Sequence, residues 1–293
     1  MFNGSMDKRI NVLHLDLSRS VPFPHTGPSM ADRPRTRLHI DAPLAAGQSA
    51  ALSGDQAHYL RSVLRQAPGD RLLAFNEAGG EWLGEISALT KSGGTITLLE
   101  RTRAPVAAGS DVWLLFAPLK GGRTEYVVEK ATELGASRLC PVLTRRGDVP
   151  RVNLERLRAN AVEAAEQCER LSVPVVEPLA DLGAVLDRWP IDPLTRDRRL
   201  FVAAEAGPAQ PLAAAVMAAT ADGGKAAFLV GPEGGFHSGE LDRLAKTPFV
   251  VPVGLGPRIL RADTAAFVAL ALWQALAGDW TAAPGQDARP PFR

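Results

Sequence analysis

Phe228-Leu229-Val230-Gly231-Pro232-Glu233-Gly234-Gly235-Phe236 and Val253-Gly254-Leu255-Gly256-Pro257-Arg258-Ile259-Leu260-Arg261-Ala262-Asp263-Thr264 decide how this chain is read. Each segment follows a short apolar run that reads as a buried strand, and each leads into a helix signal. Glycine lets a ligand approach the backbone closely, because no Cβ stands in the way. Two such loops at the C-terminal ends of parallel strands form a ligand site under the general rule for open α/β sheets. Taken singly, each loop is also explained as a plain strand-to-helix turn. Ser238 then caps one helix with Glu240 in its first turn, and Asp263 caps the other. Asp263 as a general base is the sharper alternative. Neither G-x-x-x-x-G-K-[ST] nor G-x-G-x-x-G occurs, which weakens ATP, GTP and dinucleotide readings.

The same rhythm extends upstream to Asp111. Strands are expected at Val112–Ala117, Arg138–Leu143, Val173–Glu177, Leu200–Ala204, Ala226–Val230 and Phe249–Val253. Helices are expected at Thr124–Leu134 (ended by Gly135), Leu154–Cys168, Leu182–Trp189, Pro211–Ala219, Ser238–Leu244 and Thr264–Leu276. Alternation of this kind predicts an α/β fold with a parallel sheet covered on both faces. Residues 36–103 read differently, as strands at Arg37–Ile40, Arg71–Asn76, Glu81–Leu89 and Thr95–Arg101 divided by tight turns, which suggests a small barrel or curled sheet. A short helix, Gln56–Leu64, is expected behind an Asp55 cap, with Tyr59, Leu60, Val63 and Leu64 on one face. Residues 104–109 read as a linker. The expected organisation is a disordered extension at 1–35, a β domain at 36–103, an α/β domain at 110–280 and a flexible tail at 281–293.

Composition narrows the class. The chain has 293 residues, 46% hydrophobic and 22% charged, which suits a soluble globular protein of one large or two ordinary domains. Two cysteines, Cys140 and Cys168, stand in no metal-type spacing, so no metal site or disulfide framework is expected, and a reducing cytoplasm is the natural setting. The apolar run Ala265–Leu276 is too short to span a membrane. Net charge is only +1, yet Arg33, Arg35, Arg37, Arg61, Arg65 and Arg71 cluster in the first half, and Lys120, Arg123, Arg145 and Arg146 in the second. Local clustering against a neutral total is what an RNA-facing patch looks like. Arg258 and Arg261 beside a glycine loop suit a phosphate or carboxylate, or are ordinary surface arginines. Glu163, Glu166, Gln167 and Arg170 lie along one helix end, where a solvated face is the default reading.

Pro118-Leu119-Lys120-Gly121, Lys130-Ala131-Thr132-Glu133-Leu134-Gly135, Glu166-Gln167-Cys168, Gly231–Phe236 and Leu255–Arg261, taken in order, resemble the RsmE family. These are bacterial uridine N3-methyltransferases of 16S ribosomal RNA within the SPOUT superfamily, and the resemblance covers about residues 36–277. It implies a PUA-like β-barrel that helps bind RNA, a SPOUT α/β domain whose end is threaded into a trefoil knot, S-adenosyl-L-methionine as methyl donor, and a homodimer. Where the family often has Glu-Thr after the Leu-Arg pair, this chain has Ala262-Asp263-Thr264. The implied cofactor site is Val230, Gly231, Glu233, Gly234, Gly235, Leu255, Gly256, Ile259, Leu260, Arg261, Ala262 and Thr264, completed by Leu134. Arg261, Lys120 and Arg123 are the expected catalytic residues, orienting a phosphate or the uracil oxygens. Arg37, Arg61, Arg65, Arg145, Arg146, Glu166, Gln167 and Arg170 are the expected RNA contacts. Two alternatives stay open: a non-catalytic RNA-binding assembly factor, and a ribose 2′-O-methyltransferase of the same superfamily.

Overall fold

The computed structural model describes residues 34–105, 110–203, 209–221 and 225–281. The expected extension 1–35 and tail 281–293 lie almost wholly outside these residues, as do most of the linker and Ala204.

The first sheet contains β1 (Arg37–His39), β2 (Ser49–Leu52), β3 (Arg71–Asn76), β4 (Gly80–Leu89) and β5 (Gly94–Arg103), in the order β1-β3-β4-β5-β2. All its pairings are antiparallel except β1 with β3. Register shifts between β4 and β5, at Glu81/Trp82, Leu83/Gly84 and Ile86/Ala88, bend the pair and curl the sheet around Leu72, Ile86, Ile96 and Leu98. The expected helix is shorter than its pattern. A single α-turn, α1 (Gly54–His58), is capped by Ser53 rather than Asp55, in a capping box with Gln56. A π-helical turn, Tyr59–Val63, follows. Only Ala57 and Leu60 reach the core, whereas Tyr59, Val63 and Leu64 face out.

The second sheet begins with β6 (Val112–Phe116). Then come α2 (Arg123–Glu133), β7 (Arg138–Leu143), α3 (Leu154–Cys168), β8 (Val175–Val176), β9 (Ala180–Asp181) and α4 (Leu182–Arg188). The series ends with β10 (Arg198–Ala203), β11 (Gln210–Pro211), α5 (Leu212–Ala221), β12 (Lys225–Val230), α6 (Ser238–Ala245), β13 (Val250–Gly254) and α7 (Ala262–Leu276). Strands run β11-β13-β10-β12-β6-β7-β8, with β9 also on β7, and every pairing is parallel. Period-two alternation divides the central strands between two cores. Val112, Leu114, Phe116, Phe228 and Val230 meet α2, α3, α5 and α7 on one face. Trp113, Leu115, Ala227 and Leu229 meet α4 and α6 on the other. Burial on both faces is why these strands read as unbroken apolar runs.

The two sheets meet at the C-terminal end of α3. Arg37 is buried there: its Nε donates to Glu81 at 2.7 Å, and its two terminal nitrogens donate to the carbonyls of Ala165 and Arg170, each at 2.8 Å. Arg103 donates to the Glu169 carbonyl at 2.7 Å. Phe75 fills the space between Ala165 and Leu171. Two guanidinium groups thus donate to the Ala165 carbonyl in the last turn of α3 and to the Glu169 and Arg170 carbonyls just past it, where positive charge is favoured.

Three of the expected RNA contacts lie in this seam and have partners inside the protein. Arg37 is buried and aims all three of its guanidinium nitrogens at partners inside the protein. Arg170 is likewise turned inward, donating to the carbonyls of Thr132 and Ala136 and to the Ser172 hydroxyl. Glu166 accepts from the His39 backbone N–H at 2.9 Å. Burial pushes the Glu166 carboxyl up to about 7, although the His39 N–H and the nearby Arg37 charge act the other way.

Candidate functional site

Because β6, β7, β10, β12 and β13 are parallel, their C-terminal ends share one edge of the sheet, and both glycine segments emerge there. The Ala117 N–H donates to the Val230 carbonyl at 3.1 Å and ties the end of β6 to the end of β12. After β6, the buried Thr124 hydroxyl accepts from the Leu119 N–H at 2.7 Å and donates to the Leu119 carbonyl at 2.8 Å. This closes the Lys120-Gly121-Gly122 turn on the start of α2. Gly122 at the cap of α2 and Arg261 at the cap of α7 offer no side-chain bond to their helices; in α7 the Thr264 N–H is taken instead by Asp263 at 2.8 Å.

Arg123 joins three of these segments. Its Nε donates to Asp263 Oδ2 at 3.0 Å, and its Nη1 pairs with Glu233. One guanidinium therefore links the start of α2, the first glycine loop and the first turn of α7. Asp263 is accordingly neither the helix cap nor well suited to act as a base. Burial pushes its carboxyl up, but Arg123 together with the Thr264 backbone N–H outweighs that and holds it below the usual carboxylate range. Arg123 is in turn shifted upward, chiefly by its bond to Asp263. On α6, His237 rather than Ser238 is the cap, and its Nδ1 accepts from the Gly239 N–H at 3.1 Å while Glu240 accepts from the His237 N–H.

The loop after β7 closes the other side. Arg146 donates to the Gly234 carbonyl at 3.2 Å, the Arg145 N–H donates to Glu240 at 2.9 Å, and Lys120 pairs with Asp148 at 2.9 Å on the surface. The two glycine loops differ in what their glycines do. At Gly231 a Cβ would lie 2.9 Å from the Phe236 ring, so the missing side chain makes room for that ring rather than for a ligand. Gly256 holds φ +103°, a conformation open to glycine, and nothing lies within 4 Å of where its Cβ would be. Gly234 is exposed, with only Arg146 in ordinary contact distance. The Arg258 and Arg261 side chains are exposed and make no hydrogen bond or ion pair among the described residues.

Of the expected site, Val230, Gly231, Glu233, Gly234, Gly235, Leu255, Gly256, Ile259, Leu260, Arg261, Ala262 and Thr264 fall on this edge, together with Lys120, Arg123, Arg145 and Arg146. Ile259 projects into solvent, 85% exposed. Leu134 falls elsewhere. It ends α2, and its carbonyl accepts from Gln274 near the end of α7 at 2.9 Å. Since Arg123 and Asp263 join the starts of the same two helices, Leu134 sits roughly 16 Å along α2 from the loops of its own chain. Gln167 is exposed on α3, and Arg61 and Arg65 are on the first sheet's helical segment. The pattern reading treated Asp263 and Glu233 separately and missed their shared partner. Separations of 110 and 140 residues leave no local signal.

A family model described as an RNA methyltransferase domain matches residues 107–274, and one described as an RNA methyltransferase PUA domain matches 52–99. The chain is 31% identical over 236 residues to the ribosomal RNA small subunit methyltransferase E of Rickettsia conorii, covering 80% of this chain and 93% of that protein. It is 34% identical over 230 residues to the Synechocystis protein of the same name, covering 78% and 73%. A crystal structure of ribosomal RNA small subunit methyltransferase E from Neisseria gonorrhoeae bound to S-adenosyl methionine aligns with TM-score 0.70 and 26% identity, over 84% of this chain and 99% of that one. A Legionella pneumophila methyltransferase in complex with S-adenosyl methionine aligns with TM-score 0.69 and 25% identity, over 83% and 98%.

Proposed function

The chain belongs to the ribosomal RNA small subunit methyltransferase E family, and from that premise we propose that it transfers a methyl group from S-adenosyl-L-methionine to N3 of one uridine in 16S ribosomal RNA. The observation that carries this reading is the strand-end site itself. Two glycine loops are clipped together by Arg123, with Arg261 beside them unpaired. The exposed backbone at Gly234 and the open side of Gly256 suit the close approach of an adenine and ribose, and the residues present therefore fit the cofactor. When bound, its sulfonium supplies an activated methyl group, which leaves the protein chiefly the task of placing the acceptor in line.

Residues of the chain divide that task. The loops 231–235 and 255–262 hold the cofactor through backbone groups. Arg123 does not reach for substrate; it keeps Glu233 and the first turn of α7 in register. Uracil N3 is a poor nucleophile while it keeps its proton. Arg261 donates to a uracil oxygen and stabilises the anion as the N3 proton passes to solvent water, which leaves N3 the electron pair to take the methyl group that the cofactor's sulfonium would supply, with a neutral thioether as the leaving group. Asp263, already ion-paired, is not the group that takes the proton. N3 lies on the pairing edge, so the target is unpaired or turned out of its helix. Lys120, Arg145 and Arg146 ring the site on its exposed rim and are placed to meet phosphates.

Residues 36–103 serve as an RNA-binding domain and 110–280 as the methyltransferase domain with its C-terminal knot. Exposed Tyr126 on α2, and Leu276 and Trp280 at the end of α7 and just beyond it, are apolar side chains that a homodimer would cover. No helix among the described residues is long and apolar enough to cross a membrane, which accords with work on ribosomal RNA in the cytoplasm. Mass spectrometry of digested small-subunit RNA tests the reading. Cells without this protein should lack one 3-methyluridine, and returning the gene should restore it. Loss of a ribose methyl instead would transfer the activity to a 2′-hydroxyl.

A further inference from the structure

Two polar links tie α2 to α7, and both helices start at the strand-end site. The first link is the Arg123–Asp263 pair beside the glycine loops. The second lies at the far end, where Gln274 is completely buried. Its Nε2 donates to the Leu134 carbonyl at 2.9 Å, and its Oε1 accepts from the Asp279 N–H at 3.1 Å. Only one orientation of the amide serves both bonds. Two glycines make room for it: a Cβ at Gly135, which stands at φ +81°, would collide with Nε2, and one at Gly278 with Oε1. The end of α2 that Gln274 grips is itself held, since Arg170 donates to the carbonyls of Thr132 and Ala136.

The spacing of the links is the same on both helices. Arg123 and Leu134 are eleven residues apart, and so are Asp263 and Gln274. Eleven residues make about three turns, so each helix presents both of its links on one face, roughly 16 Å apart. Two helices linked start to start and end to end are parallel, and equal spacing fixes how far one can slide along the other. The apolar core they share, including Val127, Ala131, Ala266 and Leu270, is non-directional and tolerates a small slide. A buried amide with two short, directional bonds does not. We infer that Gln274 is a positioning residue for methyl transfer: it locks the axial register of α7 against α2 and so sets where Arg261, at the cap of α7, meets the acceptor. The inference rests on the methyltransferase reading above and gives a part in it to a side chain three turns from the chemistry. Arg123 and its carboxylates are partly exposed, and such pairs hold weakly, so the buried amide is the firmer link.

A double-variant cycle in the full chain tests the lock. Gln274→Met keeps the side-chain volume and removes both bonds, and Arg123→Ala removes the other link. Each should slow methyl transfer to small-subunit RNA about tenfold under conditions where circular dichroism shows the fold intact. Losses from changes this far apart ordinarily multiply. Here the register is already lost after the first change, so the double variant should be at most about twofold slower than the slower single variant. The same pattern should appear in S-adenosylmethionine affinity read by calorimetry, which needs no turnover. Gln274→Glu covers the case in which Gln274→Met does not fold. It keeps an acceptor for the Asp279 N–H, but only its protonated carboxyl can donate to the Leu134 carbonyl. Its activity relative to the unaltered protein should therefore fall as pH rises from about 6 to about 9, with the fold intact throughout. Losses that multiply in either measurement, or a pH-independent activity ratio for Gln274→Glu, overturn the lock. Failure of the unaltered protein to bind S-adenosylmethionine or to transfer its methyl group overturns the methyltransferase reading instead.

Discussion

At the scale of single residues, Arg123 and Glu166 make opposite uses of burial. Arg123 is half-buried between two carboxylates that would otherwise face one another across the loops. Arg123→Ala removes the link and leaves Glu233 and Asp263 without their cation. Exposure of the pairs keeps the stability loss to about 1 kcal/mol. Methyl transfer should fall much further than stability, roughly tenfold or more, because the loops lose their register. Steady-state kinetics beside urea unfolding checks the contrast, and equal losses in both would reduce Arg123 to a scaffold residue. Asp263 is held below the carboxylate range, so its contribution to stability is present at neutral pH and is lost as pH falls through its folded value.

Glu166 runs the other way. Its carboxyl is raised to about 7 by burial, so the folded protein keeps a proton there that the unfolded chain has already released. The folded state therefore binds more protons than the unfolded state between the ordinary carboxylate range and about pH 7, and stability from this group declines as pH rises across that window. Glu166→Gln preserves an acceptor for the His39 N–H and removes the titration. The variant should gain on the unaltered protein by on the order of 2 kcal/mol at pH 8, with the gap closing toward pH 5. Urea midpoints at the two pH values measure it, and a gap that stays constant with pH refutes the assignment.

At the scale of elements, the end of α3 decides how the two sheets are joined. Arg37 and Glu81 are almost completely shielded, at 4% and 0% side-chain exposure, and the arginine also donates to the Ala165 carbonyl of α3 and to the Arg170 carbonyl just beyond it. Removing one member of such a pair strands the other charge. Arg37→Ala should cost about 3 kcal/mol, measured by chemical unfolding. A loss below 1 kcal/mol would show that Arg103 and Thr102, which also reach Glu81, are sufficient without it. If Arg37 is a seam residue and no RNA contact, the salt dependence of RNA binding should be unchanged in Arg37→Lys. The helix elements themselves were legible in outline. Leu154–Cys168 carries its apolar positions at helical spacing and an Asn153 cap, and the structure reproduces both bounds. The π-turn at Tyr59–Val63 was not legible, since four apolar residues at helical spacing give no sign that only one of them will find the core.

At the scale of the whole molecule, Tyr126 on α2, Leu276 at the end of α7 and Trp280 just beyond it are exposed, and the proposed homodimer would cover them. Tyr126→Glu should convert the protein from the mass of two chains to that of one in light scattering. A mass of one chain for the unaltered protein would refute the pairing. The amino-acid sequence by itself determined the class of fold, because burial on both faces forces the unbroken apolar runs of Val112–Phe116 and Ala226–Val230. It also pointed to the strand-end loops as the proposed ligand site, because glycine at Gly234 and Gly256 leaves the backbone open to close approach. Tertiary structure alone decided which strand stands beside which, since parallel neighbours are joined by long crossovers that leave no local trace in sequence. It alone made Arg37 and Arg170 internal struts, moved Leu134 to the far end of its helix and gave Asp263 to Arg123. Charge is visible in a sequence, but burial and partners separated by a hundred residues exist only once the chain has folded.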